Sequence, residues 1–125
     1  MKNTRFAIHL FAVVLFLAMT SCSIFSPTRP ALKFDPDTLP DAQVGRPYEV
    51  EIKVTDNVTP VFQFGVSEGT LPKGLTIEQK EHEDVARIFG TPGVAGTFTF
   101  KVQALCFGTN VSGQSGEQEY TIVVK

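Results

Sequence analysis

Apolar and polar positions follow two different patterns along this chain. Phe6 to Met19 is an almost unbroken apolar run, interrupted by His9. Beyond residue 22 the pattern changes to period two. Tyr48, Val50, Ile52 and Val54 alternate with Glu49, Glu51 and Lys53, and Phe62, Phe64 and Val66 with Gln63, Gly65 and Ser67. Phe98, Phe100, Val102 and Ala104 alternate with Thr97, Thr99, Lys101 and Gln103, and Tyr120, Ile122 and Val124 repeat the pattern near the end. Alternation of this kind marks strands with one buried face, and no window beyond residue 22 carries helical spacing. It predicts strands over 31–35, 47–55, 60–67, 74–78, 85–90, 97–106 and 117–124. The predicted core is Tyr48, Val50, Ile52, Phe62, Phe64, Leu75, Ile77, Ile88, Phe98, Phe100, Val102 and Ile122.

Turn residues punctuate the strands. Asp56-Asn57 follows the second one. Leu71-Pro72-Lys73-Gly74 suits a type I turn with Pro second and Gly fourth. Thr91-Pro92-Gly93-Val94 suits a type II turn in which Gly93 supplies a positive φ. About seven short strands in under 100 residues predict an all-β immunoglobulin-like sandwich over 31–125.

The first residues read as a targeting segment. Lys2 and Arg5 precede the apolar run, which as a helix rises about 21 Å at ~1.5 Å per residue, short of the ~30 Å hydrocarbon core. That length suits a signal-peptide core over 1–21. The run ends in Met19-Thr20-Ser21-Cys22, which resembles the bacterial lipobox, with Met19 where the pattern usually has Leu. The resemblance implies cleavage before Cys22, a diacylglyceryl thioether on its sulfur and a palmitate-type chain on the new amino terminus. The competing readings are an ordinary secretory signal with a chance Cys, or an uncleaved anchor. Two or three acyl chains hold a protein stably on a membrane. Ser23 stands where Asp would commonly retain a Gram-negative lipoprotein at the inner membrane, so the resemblance points to the outer membrane. Residues 22–30, with Ser, Thr and two prolines, read as a lipidated Cys and an extended tether.

The domain carries a resemblance of its own. Leu39-Pro40, Val44-Gly45 and Tyr48 are followed by Leu71-Pro72-Lys73-Gly74-Leu75, then Ile88-Phe89-Gly90-Thr91-Pro92, then Ala95-Gly96-Thr97-Phe98-Thr99-Phe100. This order resembles the immunoglobulin-like repeat of bacterial surface proteins, related to cadherin-like domains, over about residues 32–125. Two departures stand out. Glu78–Asp84 is longer and more charged than the usual tight turn, and Phe89 replaces a small polar residue. The resemblance implies a fold and a surface setting, not one activity.

Charge narrows the partners. The chain has 11 basic and 13 acidic side chains. Loss of residues 1–21 leaves nine basic against thirteen acidic, a net charge of −4. A mildly acidic domain is not drawn to phosphate backbones, which argues against nucleic acid.

Candidate chemistry is sparse. A lipidated Cys22 leaves Cys106 without an intrachain partner. Its phase points it into the core as a small hydrophobe, the alternative being a reactive or intermolecular thiol. Glu81-His82-Glu83-Asp84, with Glu78 and Lys80, matches no metal-ligand spacing and reads as a solvated hairpin tip. Ser112 and Ser115 have no His nearby in sequence, so no catalytic constellation is assigned and no cofactor or metal is expected. Phe107 to Gly116 is the best candidate for recognition, through Phe107, Asn110, Ser112, Gln114 and Ser115. The plainer alternative is a flexible connection.

The expected function is a lipid-anchored, non-catalytic envelope protein that engages another envelope protein or a glycan. The competing expectation is a passive spacer or structural subunit of an envelope assembly.

Overall fold

A computed structural model describes residues 29–81, 83–109 and 112–125. Cys22, the signal peptide, most of the tether, His82 and Asn110 lie outside the described residues. The period-two pattern resolves into seven strands: β1 (Lys33–Asp35), β2 (Tyr48–Thr55), β3 (Val61–Gly69), β4 (Leu75–Gln79), β5 (Val85–Gly90), β6 (Gly96–Cys106) and β7 (Ser115–Val124). They form two antiparallel sheets, of order β1-β2-β5-β4 and β3-β6-β7. This is the strand arrangement of an immunoglobulin constant-type sandwich.

The core lies between the sheets. Ile52, Val54, Ile88, Phe100, Val102 and Ile122 are fully buried, and Phe34, Ala42, Tyr48, Val61, Leu75, Ala104, Cys106, Tyr120 and Val124 pack with them. Thr97 and Thr99 face outward opposite Phe98 and Phe100, so the register of β6 is the one the alternation predicts. Among the described residues no disulfide ties the sheets, and Cys106 is free and buried.

The crossover from β1 to β2 changes sheets. Phe34 pairs with Val54 in the first sheet, whereas Ala42 bridges Val124 of the second in parallel. The Ala42 N–H donates to Val123 O and the Lys125 N–H to Ala42 O, each at 2.9 Å. Two tyrosine hydroxyls fix this segment. Tyr48 donates to Pro40 O at 3.0 Å, and Tyr120 donates to Pro36 O at 2.7 Å. Burial, reinforced by Asp41, pushes the Tyr48 phenol up to about 12. Tyr120 moves in the same direction through burial and the nearby Asp37 and Asp35.

The structure changes three sequence expectations. Phe62 is exposed rather than buried. Val61 pairs with Cys106 and Gln63 with Leu105, so Phe62 is an extra residue in a β-bulge. The inward positions are therefore Val61 and Phe64, and strict alternation across the bulge assigned Phe62 to the wrong face. The turn before β4 is one residue later than expected. The Leu75 N–H donates to Pro72 O at 3.0 Å, which places Gly74 third, with φ +100°, as a type II turn requires. Gly93 does not have a positive φ. The Thr91 N–H donates to Gly74 O at 3.2 Å and the Gly93 N–H to Lys73 O at 3.0 Å, so the chain after β5 stays extended beside the Pro72–Leu75 turn.

Candidate recognition surface

Strand direction sorts the connections into two ends. Residues 29–32, the 56–60 turn, the β4–β5 hairpin and the β6–β7 loop gather at one, called the Arg29 end. Residues 36–47, 70–74 and 91–95, with Lys125, gather at the other.

At the Arg29 end, two side chains organise the backbone. Asp84 Oδ1 accepts the Val61 N–H and its Oδ2 accepts from Asn57 Nδ2, both at 2.7 Å. Gln79 Nε2 donates to Val61 O at 2.9 Å, so both polar groups of the Val61 backbone are held by side chains of the hairpin. Gln114 performs the same service for the loop. Its Oε1 accepts the Val58 N–H at 2.6 Å, and its Nε2 donates to Pro30 O at 2.8 Å and Asp56 O at 3.1 Å.

These ties leave an apolar surface outside. The Phe107 N–H donates to Pro60 O at 3.0 Å, and Thr59 Oγ1 donates to Phe107 O at 2.6 Å. With its backbone fixed on both sides, Phe107 turns its ring out, 55% exposed, against Phe62 at 46%. The ring centroids are 5.3 Å apart and tilted by 47°. Pro60, Val61, Phe62, Gln79, Glu81 and Phe107 line an open groove there, and Val58 stands 63% exposed nearby.

The residues singled out from sequence have different fates. Phe107 is exposed, as a recognition anchor requires. Ser112 is exposed, and its carbonyl accepts from Arg29 Nη1 at 2.9 Å. Ser115 is exposed but opens β7, so the loop spans 107–114 rather than 107–116. Gln114 is only 7% exposed and uses its amide on the domain's own backbone, which makes it a structural side chain. Phe62 and Val58 went unrecognised. A pair of exposed apolar residues beside a turn was the available signal, but the regular alternation over 62–66 concealed the bulge.

The acidic hairpin divides in the same way. Glu81 and Glu83 are exposed, as a solvated tip requires, whereas Asp84 turns inward. Lys80 pairs with Glu51 at 2.6 Å. The Cys106 thiol is pushed up chiefly by burial and further by Asp84, with Arg29 opposing, so the thiolate is disfavoured. On the outer face of the first sheet, Arg87 lies 4.2 Å above the Phe89 ring.

The opposite end has its own exposed apolar residues, Val44 at 43% and Val94 at 51%. Their loops meet where the Gly45 N–H donates to Pro92 O at 2.9 Å.

Sheet order and loops gathered at two ends define an immunoglobulin-like sandwich, with no inter-sheet disulfide among the described residues. The chain belongs to the family described as Putative Ig domain, whose model matches residues 30–125. No curated protein matches the chain. Among solved structures, it is similar to the SrpA adhesin from Streptococcus sanguinis, with TM-score 0.60 and 14% identity over 82% of this chain and 60% of that one. It is similar to an endo-fucoidan hydrolase from glycoside hydrolase family 107, with TM-score 0.56 and 17% identity over 83% of this chain. It spans 15% of the hydrolase, a fraction of that enzyme's length. The titin M3 domain matches at TM-score 0.50 and 18% identity, over 75% of this chain and 96% of that domain. At such identities the likeness concerns the fold.

Proposed function

We propose that this chain is a lipid-anchored protein of the bacterial cell envelope whose immunoglobulin-like domain is a non-catalytic module for binding another protein or a glycan. The observation that carries this reading is the placement of the two ends. Arg29, seven residues beyond Cys22 in the sequence, sits at one end of the sandwich on the Ser112 carbonyl, and Val44 and Val94 are exposed at the other. An anchor at Cys22 would therefore hold the first end near the lipid and present the second to partners. The fold shared with an adhesin agrees with such a role. Rigid sandwiches commonly carry recognition on the loops at their ends.

Two measurements test the reading. The Cys22→Ala chain should lose its acyl mass and its membrane retention while the domain still folds; retention after a high-salt wash would overturn the anchor. Crosslinking in cells followed by mass spectrometry should capture a discrete, stoichiometric partner, and a Val44→Asp/Val94→Asp variant should lose it. Capture unchanged in that variant overturns the placement of the binding end. Retention solely within one large assembly, with no separable partner, overturns the module in favour of a spacer.

A further inference from the structure

The aromatic pair at the Arg29 end faces away from the presented surface. Phe62 and Phe107 pack on each other at a tilt but remain about half exposed, and Val58 is exposed at the same end. Exposed apolar groups so clustered mark a binding surface for a protein or a membrane. Position decides between the two.

Arg29 sits on this end, hydrogen-bonded to the Ser112 carbonyl, and Pro30 is held there by Gln114. Seven residue steps separate Cys22 from Arg29. Even fully extended they span about 25 Å at ~3.3–3.6 Å each. The sandwich is longer than that, since the eleven residues of β6 run about 36 Å at ~3.3 Å each. A chain acylated at Cys22 thus keeps its Phe62–Phe107 end within reach of the lipid surface, and a domain standing upright on its far end does not fit beneath the tether.

The basic side chains at this end are engaged within the domain, Arg29 on the Ser112 carbonyl, while the carboxylates of Glu81 and Glu83 are exposed. Lys33 meets Asp56 at 2.8 Å and Lys80 meets Glu51 at 2.6 Å. The end therefore offers little attraction to anionic lipid, and its contact with a bilayer is a shallow one through the exposed apolar side chains.

We infer that the Phe62–Phe107 face, with Val58, rests on the lipid bilayer and orients the anchored domain with its Val44–Val94 end away from the membrane. The inference rests on the lipid anchor proposed above. Rings packed at the headgroup level act as a second, shallow contact besides the acyl chains. They convert a tethered domain into an oriented one.

The chain contains no Trp, which makes single tryptophans clean probes. Phe107→Trp and Val58→Trp report on the Arg29 end, and Val94→Trp and Val44→Trp on the other. All four sites are exposed, so the fold should tolerate them. Each full-length, acylated protein is reconstituted into phosphatidylcholine–phosphatidylethanolamine vesicles with brominated acyl chains. The expected result is blue-shifted, quenched emission from Phe107→Trp and Val58→Trp, unchanged in high salt, and unquenched emission from Val94→Trp and Val44→Trp. The mass of the N-terminal peptide is measured on the same samples. Acylated Cys22 with unquenched Phe107→Trp and Val58→Trp overturns the orientation and leaves the anchor standing. Equal quenching at both ends overturns it as well. A chain without acyl mass overturns both readings.

Discussion

Asp84 accepts the backbone N–H of Val61 at 2.7 Å across 23 residues of sequence. That bond joins the hairpin between β4 and β5 to the first residue of β3, and so links the two sheets at the Arg29 end. Its other oxygen takes the Asn57 amide. Asp84→Ala strands the Val61 N–H and one Asn57 donor in a part-buried site. Hydrogen bonds to charged groups contribute about 1.5–3 kcal/mol. The variant should lose about that much stability in urea unfolding, and Asp84→Asn should lose less because it keeps an acceptor. A loss below about 0.5 kcal/mol in both would show that water replaces the carboxylate there.

Phe100 and Phe62 test the two faces of one sheet. Phe100 is fully buried, paired across the strands with Tyr120, and its ring centroid lies 6.3 Å from that ring. Phe100→Ala should cost about 3–5 kcal/mol, as buried Phe truncations do. Phe62→Ala, at an exposed bulge, should cost under about 1 kcal/mol. Comparable losses in the two variants would mean that Phe62 packs more deeply than its exposure indicates.

The contrast between these two residues also shows what was legible in the sequence. Period two reports which face a residue takes as long as pairing is one to one. It therefore places Phe100, Val102, Ile52 and Ile122 correctly, together with all seven strands to within two residues at every boundary. A bulge adds one residue on one strand and leaves no trace in the alternation, so Phe62 was misassigned. The sequence pattern assigns Asp84 to a solvated tip and Gln114 to a recognition loop, because their observed roles depend on partners distant in sequence, Val61 and Val58. A polar side chain in a loop looks alike in sequence whether it meets solvent or a backbone group from elsewhere.

Gln114 sets a limit on how the β6–β7 loop can be altered. Its amide satisfies three backbone groups from two separate segments. Gln114→Ala should cost about 1–3 kcal/mol, since buried backbone groups lose their partners. Hydrogen exchange at Val58 should rise in parallel. Shortening residues 108–112 with Gln114 retained should change stability little, because loop closure varies by only about 0.6 kcal/mol per doubling of length. Equal losses from both changes would assign the stability to the loop as a whole rather than to the Gln114 amide.

Gly74 and Gly90 account for two glycines of the Leu-Pro-Lys-Gly-Leu and Gly-Thr-Pro segments. Gly90 has φ +138°, and a Cβ there would fall on the Gly74 carbonyl; a Cβ on Gly74 would fall on the carbonyl of Thr91. The two backbones approach this closely because Pro72 and Pro92, both fully buried, pull their segments onto the core. Gly90→Ala combines a backbone conformation costing about 1–3 kcal/mol with a steric clash. A loss of at least about 2 kcal/mol is expected from thermal unfolding, against almost none for Gly93→Ala, whose Cβ would meet open space. Equal effects would show that the two strands can separate without penalty.

Alkaline pH should destabilise the domain through its two tyrosines. Tyr48 is buried, donates to Pro40 O, and is pushed up to about 12 from an ordinary 10.0, first by burial and then by Asp41. The folded state thus favours the neutral phenol. The unfolded chain starts to lose the proton near pH 10, before the folded one does. The stabilisation from this group is therefore fully present below pH 10 and is lost as pH rises from 10 through 12. Tyr120 acts in the same direction. Urea unfolding between pH 8 and 12 should show stability level at first and then falling above pH 10. Tyr48→Phe should begin lower by about 0.5–1.5 kcal/mol, the net value of one hydrogen bond, and should fall less steeply above pH 10. An identical alkaline slope in the variant would mean that Tyr48 ionises as freely in the folded domain as in the unfolded chain, and that the Pro40 contact does not hold the crossover.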